Sequence, residues 1–465
     1  MKYDIIIIGA GSGGLNISGF MNNAGFKTLL IDRSDENIGG DCLNFGCVPS
    51  KALIHVSRLV HDARGASDFG LGVTGAVDMK TVREYIKSKQ DVIRKHENAG
   101  YFRGKGIDVV LGSAEFAGDR SVAVNGTVYE GKNIVIATGS RPRELEIPGI
   151  EKVGYLTNET VFDIDYLPEN FIVIGGGPIG IELGQAFQRL GSKVRVVERM
   201  DKFLPKESPE IAEVLYAQLV KEGMEFDFNT RLKEFASANE LVVIDGHDNE
   251  KRLRFDAVLV SIGRVLNIEG LKLEKAGIEH EKGRIKVDER LRTTNKHVFV
   301  CGDAAGSYQF THAAELHAGV ILNNFFSPLR KKLSNDCLSW VTYTSPEIAT
   351  FGLNEAELKK RGINFDTVPL DFTDDDRAIV DEATHGKLVL YISKGRIAGG
   401  SMVAEHAGEL FQELALAMSS RLNVKQIFNK TYPYPTAGRI NKSAILKHFS
   451  GKLTPRAKKL LHLLY

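Results

Sequence analysis

The chain has 465 residues, 43% apolar and 26% charged, with a formal net charge of +1. That length predicts several domains, the composition excludes a disordered or fibrous chain, and the charge balance excludes nucleic acid as a partner held by bulk electrostatics. Four cysteines do not make a secreted disulfide scaffold, while 47 glycines, about a tenth of the chain, point to special backbone positions.

In chain order, Ile5–Ile8 reads as a buried strand. Four apolar residues are too few for a signal core or a membrane span, so a reducing cytoplasm is the expected compartment. The strand runs into Gly9-x-Gly11-x-x-Gly14, and the next strand, Thr28–Ile31, ends at Asp32. The pattern returns as Phe171–Ile174, Gly175-x-Gly177-x-x-Gly180, Val194–Val197 and Glu198. In both copies the acid stands 23 residues after the first glycine. One such glycine pattern is weak evidence. Two, each in strand–turn–helix context with a matching acid, predict two dinucleotide sites. The glycines permit a tight turn and close approach to a pyrophosphate, the helix N-terminus offers free N–H groups, and the acid accepts from ribose hydroxyls.

Further strand-like runs lie at Asn133–Ala137, Ala257–Ile262 and His297–Cys301, and the alternation predicts an α/β fold with parallel sheets. From about residue 335 the pattern is mixed, with strand-like Lys387–Ile392 and helical Glu409–Ser419. At the end, Leu453, Leu460, Leu461 and Leu464 alternate with Lys452, Arg456, Lys458 and Lys459. A basic amphipathic helix can lie on an anionic membrane surface. The expectation here is the commoner outcome, a terminal helix packed on its own protein.

The most informative stretch is Gly39-Gly40-Asp41-Cys42-Leu43-Asn44-Phe45-Gly46-Cys47-Val48-Pro49-Ser50-Lys51. Cys-x₄-Cys is not by itself a zinc pattern, and Cys301 and Cys337 are single and distant; Cys301, in a strand run, is expected in the core. Two unrelated buried thiols are the bland alternative. In a regular helix five residues rise about 7.5 Å, beyond the ~7 Å that bridged Cα atoms tolerate. A disulfide between Cys42 and Cys47 therefore needs an irregular turn, which Gly46 would permit.

Six features now stand in one order: the first glycine pattern, Cys42-x₄-Cys47-x-Pro49-Ser50-Lys51, Ala137-Thr138-Gly139, the second glycine pattern with Ile181-Glu182, Ser261-Ile262-Gly263-Arg264, and Cys301-Gly302-Asp303. With them the sequence resembles, over nearly its whole length, the class I pyridine nucleotide–disulfide oxidoreductases, among them dihydrolipoamide dehydrogenase, glutathione reductase and mercuric reductase. The resemblance implies two Rossmann-like dinucleotide-binding domains, for FAD and NAD(P), and a C-terminal α+β dimerisation domain in a homodimer. It divides the chain into an FAD domain at 1–149, an NAD(P) domain at 150–268, a return to the FAD domain at 269–333 and the interface domain at 334–465. It implies FAD contacts at Gly9, Gly11, Gly14, Asp32, Gly40, Lys51, Ala114, Thr138, Gly139, Asp303 and Ala313, and NAD contacts at Gly175, Gly177, Gly180, Glu198 and Gly263. Cys42 would be the interchange thiol facing substrate and Cys47 the thiolate against the flavin. Lys51 and Glu182 match the pair near flavin N5, with an ordinary ion pair as the alternative. Asp303 matches the acid that holds the ribityl chain, and Thr311-His312-Ala313-Ala314 would start a helix aimed at the flavin. A carboxylate at Glu198 favours NADH over NADPH, although Arg199 stands beside it.

The pattern breaks near the C-terminus. Dihydrolipoamide dehydrogenase and glutathione reductase carry a His-Pro segment with a Glu five positions after the His. Here Tyr434 and Arg439 occupy those places. Tyrosine is a poor base at neutral pH but can donate a hydrogen bond, and an arginine would attract a thiolate or an anionic substrate. No cysteine follows Cys337, so the C-terminal cysteine pair of the mercuric reductases is missing. The implied activity is NAD(P)H oxidation through FAD and the Cys42–Cys47 pair to a small-molecule disulfide. A metal-ion or quinone reductase and a low-turnover redox sensor are the alternatives.

Overall fold

The computed structural model describes residues 2–465. The chain forms two compact units, one of residues up to Glu198 with Thr230–Leu333, the other of Arg199–Asn229 with Ser334–Tyr465. Among the described residues no helix is long and apolar enough to cross a membrane.

The first unit contains a seven-stranded sheet. Strand Lys2–Ile8 lies at its centre, with parallel Thr28–Asp32 on one side and parallel Thr127–Ile136 on the other. The edge beyond Thr28–Asp32 is Asp108–Leu111. Thr127–Ile136 extends further back than the apolar run at 133–137, because its first residues pair with the antiparallel strand Ser121–Val124 while Ile134–Ile136 pair with Val298–Val300. Ile5, Ile6, Ile7 and Ile8 are all buried. Their side chains alternate between two cores, Ile6 and Ile8 in one and Ile5 and Ile7 in the other. A strand covered on both faces reads as a continuous apolar run. The second glycine repeat builds the same arrangement, with parallel Lys193–Val197, Asn170–Ile174 and Ala257–Val260 side by side. Helices Ser12–Asn23 and Pro178–Leu190 each begin directly after the middle glycine of their pattern.

The second unit is built on a five-stranded antiparallel sheet in the order Ser339–Thr342, Glu347–Gly352, Arg396–Ala404, Lys387–Ser393, Asp366–Asp371. The apolar face packs against helices Gln412–Ser419 and Arg439–Ser450. The expected helix 409–419 is divided, with Ala407–Leu410 ending before Gln412. The Gln412 side-chain amide donates to the Gly408 carbonyl at 2.8 Å, taking the acceptor that its own backbone N–H would use.

Among the described residues the terminal helix does not pack on its own protein as expected. Pro455–Leu464 is helical, but Leu453, Leu461, Leu463 and Leu464 are exposed. The side chains of Arg456 and Leu460 lie outside the described residues.

A buried acid joins the two segments of this unit. Glu207 Oε1 accepts from Trp340 Nε1 at 2.7 Å and Oε2 from Thr350 Oγ1 at 2.5 Å. Burial raises its pKa despite those donors. Glu207→Ala takes the acceptor from Trp340 and from buried Thr350 and should cost about 1–3 kcal/mol of stability. Chemical unfolding followed by the fluorescence of Trp340, the only tryptophan, measures this; an unchanged midpoint would contradict it.

Candidate functional site

The two glycine turns are spatially equivalent. Gly9 has φ +108° and a Cβ there would lie 2.3 Å from the Ala137 carbonyl oxygen; Gly175 has φ +102° and a Cβ would lie 2.6 Å from the Ser261 carbonyl oxygen. The third glycines allow helix and strand to touch: a Cβ on Gly14 would meet the Gly9 oxygen at 2.0 Å, and one on Gly180 the Gly175 oxygen at 2.3 Å. The middle glycines differ. A Cβ on Gly11 would meet only the Gly40 Cα, at 3.6 Å, and one on Gly177 nothing within 4 Å. Gly11 and Gly177 also precede helix starts that have no side-chain cap. Free N–H groups beside open backbone suit a pyrophosphate.

Each acid holds its own turn. Asp32 Oδ2 accepts from Ala10 N at 2.7 Å, and Glu198 Oε2 accepts from Gly176 N at 2.6 Å. Burial raises the pKa of Asp32, although the Ala10 amide opposes it. Around the first turn, Gly40 backs onto Gly11, Ala114 opens the strand Ala114–Gly118, and Ala313 is buried in the first turn of helix Thr311–Phe326. Gly139 and Gly263 directly precede Ser140–Pro142 and Arg264–Leu266, which pair with each other. The Thr138 hydroxyl oxygen is buried without a hydrogen-bond partner, as a group awaiting a ligand would be. These features fit FAD and NAD(P).

At the thiols, helix Gly40–Asn44 stops and helix Cys47–Gly65 starts, with Gly46 between them at φ −124°, ψ −111°. The break leaves Cys42 and Cys47 as free thiols close enough that each shifts the other's pKa. Cys47 Sγ lies 3.4 Å from Thr311 Oγ1. The Cys42 thiol donates to Cys47 and, with Thr311 and Lys51, brings the Cys47 pKa down to about 6 against the opposing effect of burial. The same contact, together with burial, pushes Cys42 up. At neutral pH the arrangement is therefore a Cys47 thiolate beside a Cys42 thiol. Cys47 also opens a 19-residue helix, whose N-terminus favours a thiolate. Lys51, one turn along, reaches buried Glu182, Nζ to Oε2 at 2.9 Å.

Asp303 Oδ2 accepts from Ser140 Oγ at 2.6 Å, and burial raises its pKa. The loop carrying it is fixed by buried His317, whose Nδ1 accepts from Gly302 N at 3.1 Å; burial lowers this imidazole to about 4. His312 stacks on Phe310, with ring centroids 5.3 Å apart. Cys301 is buried and its thiol is pushed to about 12, while Cys337 is exposed. The sequence offered no signal for the contacts made by Thr311, Ser140 or His317. In the second unit, the Tyr434 hydroxyl donates to Asp376 Oδ2 at 3.1 Å, and the Arg439 guanidinium lies 5.3 Å over the Tyr434 ring. The Asp376 hydrogen bond raises the Tyr434 pKa, so this group is a donor and not a base.

The rate of Cys47 alkylation should fall as pH drops through about 6. Thr311→Val removes a donor to the thiolate and should move that midpoint upward. A midpoint near the ordinary thiol value in the native protein, or one unmoved by Thr311→Val, would contradict the assignment.

Residues 3–318 match the family described as pyridine nucleotide-disulphide oxidoreductase, and residues 338–444 match its dimerisation domain, which supports a homodimer. The chain is 31% identical to a mercuric reductase of Staphylococcus aureus, covering 96% of this chain and 82% of that one. It is 32% identical to a dihydrolipoyl dehydrogenase of Mycoplasma genitalium, covering 97% and 100%. The HOCl-induced flavoprotein disulfide reductase RclA of Escherichia coli superposes with a TM-score of 0.84 at 25% identity, covering 95% of this chain and 98% of that one. The chain thus belongs to the pyridine nucleotide–disulfide oxidoreductases, FAD-dependent flavoprotein enzymes that bind NAD(P).

Proposed function

We propose that this enzyme oxidises NADH and reduces a small-molecule disulfide through Cys42 and Cys47. The observation that carries the reading is the pair of free thiols set on either side of the helix break at Gly46, with Cys47 opening a 19-residue helix. Bound FAD supplies the two-electron relay between nicotinamide and thiols. In this reading residues 1–149 and 269–333 hold FAD, 150–268 hold the nicotinamide nucleotide, and 334–465 form the dimer interface. Glu198 supports NADH, because a carboxylate accepts from a ribose 2′-hydroxyl and repels a 2′-phosphate.

In the exchange the proton of the pair moves against its resting preference, so the reactive Cys42 thiolate is the minor form. Transfer of that proton from Cys42 to Cys47 leaves a Cys42 thiolate, which attacks one sulfur of the acceptor. The acceptor S–S bond breaks, a Cys42 mixed disulfide forms, and the leaving thiolate takes the proton from Cys47. The Cys47 thiolate then attacks Cys42, releasing the second acceptor sulfur as a thiolate and closing the Cys42–Cys47 disulfide. The dithiol loses two electrons and the acceptor gains two.

A second reading, reduction of a soft metal ion, is favoured by the absence of a histidine at 434. The mercuric reductase relatives support it, as does RclA, which superposes as a Cu(II) complex with a TM-score of 0.83. An acceptor screen on purified holoenzyme, with NADH and NADPH in parallel, separates the two. The expected result is turnover of lipoamide or another small disulfide, with NADH preferred by about tenfold or more. Turnover confined to Hg(II), Cu(II) or quinones would reject the disulfide reading, and NADPH preference would reject the role of Glu198.

A further inference from the structure

Asp41 immediately precedes Cys42, and its carboxylate makes contacts that none of the roles above uses. Oδ1 accepts from Arg264 Nη2 at 2.9 Å and from Asn158 Nδ2 at 3.4 Å. Oδ2 lies against the backbone of Gly46, where a Cβ would come within 2.8 Å of it. Asn158 Nδ2 also donates to the Phe45 carbonyl at 3.2 Å. Phe45 and Gly46 are the residues at which the chain bends between the two thiols, Asp41 packs against that bend, and Asp41 and Phe45 are tied to groups more than a hundred positions away.

The tying groups are themselves fixed. Arg264 Nε donates to Ser140 Oγ at 2.7 Å, Nη2 to the Ser140 carbonyl at 3.0 Å, and Nη1 to Asn158 Oδ1 at 3.4 Å. Its side chain is 10% exposed and Asn158 is buried. Ser140 Oγ in turn donates to Asp303. A planar guanidinium can span these acceptors at once, whereas a lysine ammonium offers only a point charge on a flexible stem.

We infer that Arg264 and Asn158, acting through Asp41, clamp the turn between Cys42 and Cys47 so that its shape is held when the sulfurs are not joined. They are positioning residues. The inference rests on the reading of Cys42 and Cys47 as the redox pair. A turn held in closing geometry raises the effective concentration of one thiol at the other. Loosening it therefore disfavours the disulfide relative to the dithiol and leaves the chemistry of the external reductant untouched.

The test equilibrates holoenzyme in dithiothreitol buffers of graded redox ratio, followed by alkylation and mass spectrometry of the peptide that carries both cysteines. Arg264→Lys and Asp41→Ala should move the equilibrium toward the dithiol by about tenfold or more. Asp41→Asn keeps the accepting oxygen and should move it less than Asp41→Ala. Circular dichroism accompanies each sample, and Asn158→Ala replaces any variant that loses the native spectrum. If the native pair forms no disulfide at any ratio, the redox-pair reading fails and the clamp with it. If the native pair does close and folded variants match it, the clamp alone is overturned. Equal shifts for Asp41→Asn and Asp41→Ala would also overturn it.

Discussion

The interruption of helical structure at Gly46 is the constraint on which the chemistry of this protein depends. A continuous helix through Cys42 and Cys47 would hold their Cα atoms too far apart to be joined. The chain instead ends one helix at Asn44 and starts another at Cys47. A side chain at Gly46 would crowd the Asp41 carboxylate and carbonyl, which lie 2.8 and 3.0 Å from where its Cβ would sit. The new start has a second consequence. It puts Cys47 at a helix N-terminus, one turn before Lys51 and against Thr311, so that the geometry which pairs the thiols also assigns the negative charge to one of them.

The same economy of backbone appears in the two nucleotide turns. Each uses one glycine for its left-handed turn, one for open space in front of a helix, and one for contact between helix and strand. In each, the acid at the end of the second strand accepts from the amide between the first two glycines. This bond fixes the strand end against the turn whether or not a ribose is bound. The acid thus has a structural role as well as the recognition role its position suggests.

Local features were legible in the sequence. The buried strands, the glycine turns, the need for a bend at Gly46 and the burial of Cys301 all follow from residues close together in the chain. Lys51 and Glu182, 131 positions apart, were paired only through the family resemblance, and the structure holds them 2.9 Å apart. Thr311 with Cys47 and Arg264 with Asp41 are separated by 264 and 223 positions, and neither contact leaves a mark in periodicity or spacing. His317 reads as an unremarkable helical residue until its helix is laid against the loop of Gly302. The division at Phe411 was hidden because a single glutamine side chain decides it. The terminal helix misled because helical spacing of leucines does not say what covers them, and Leu461 and Leu464 are exposed.

The central claim is that Cys42 and Cys47 are reduced as a unit and that Cys47 carries the thiolate. Anaerobic titration of holoenzyme with NADH tests it most directly. The account predicts a long-wavelength charge-transfer absorbance in the native enzyme, its persistence in Cys42→Ser and its loss in Cys47→Ser. Loss in Cys42→Ser with persistence in Cys47→Ser, or no such band in the native enzyme, would contradict it.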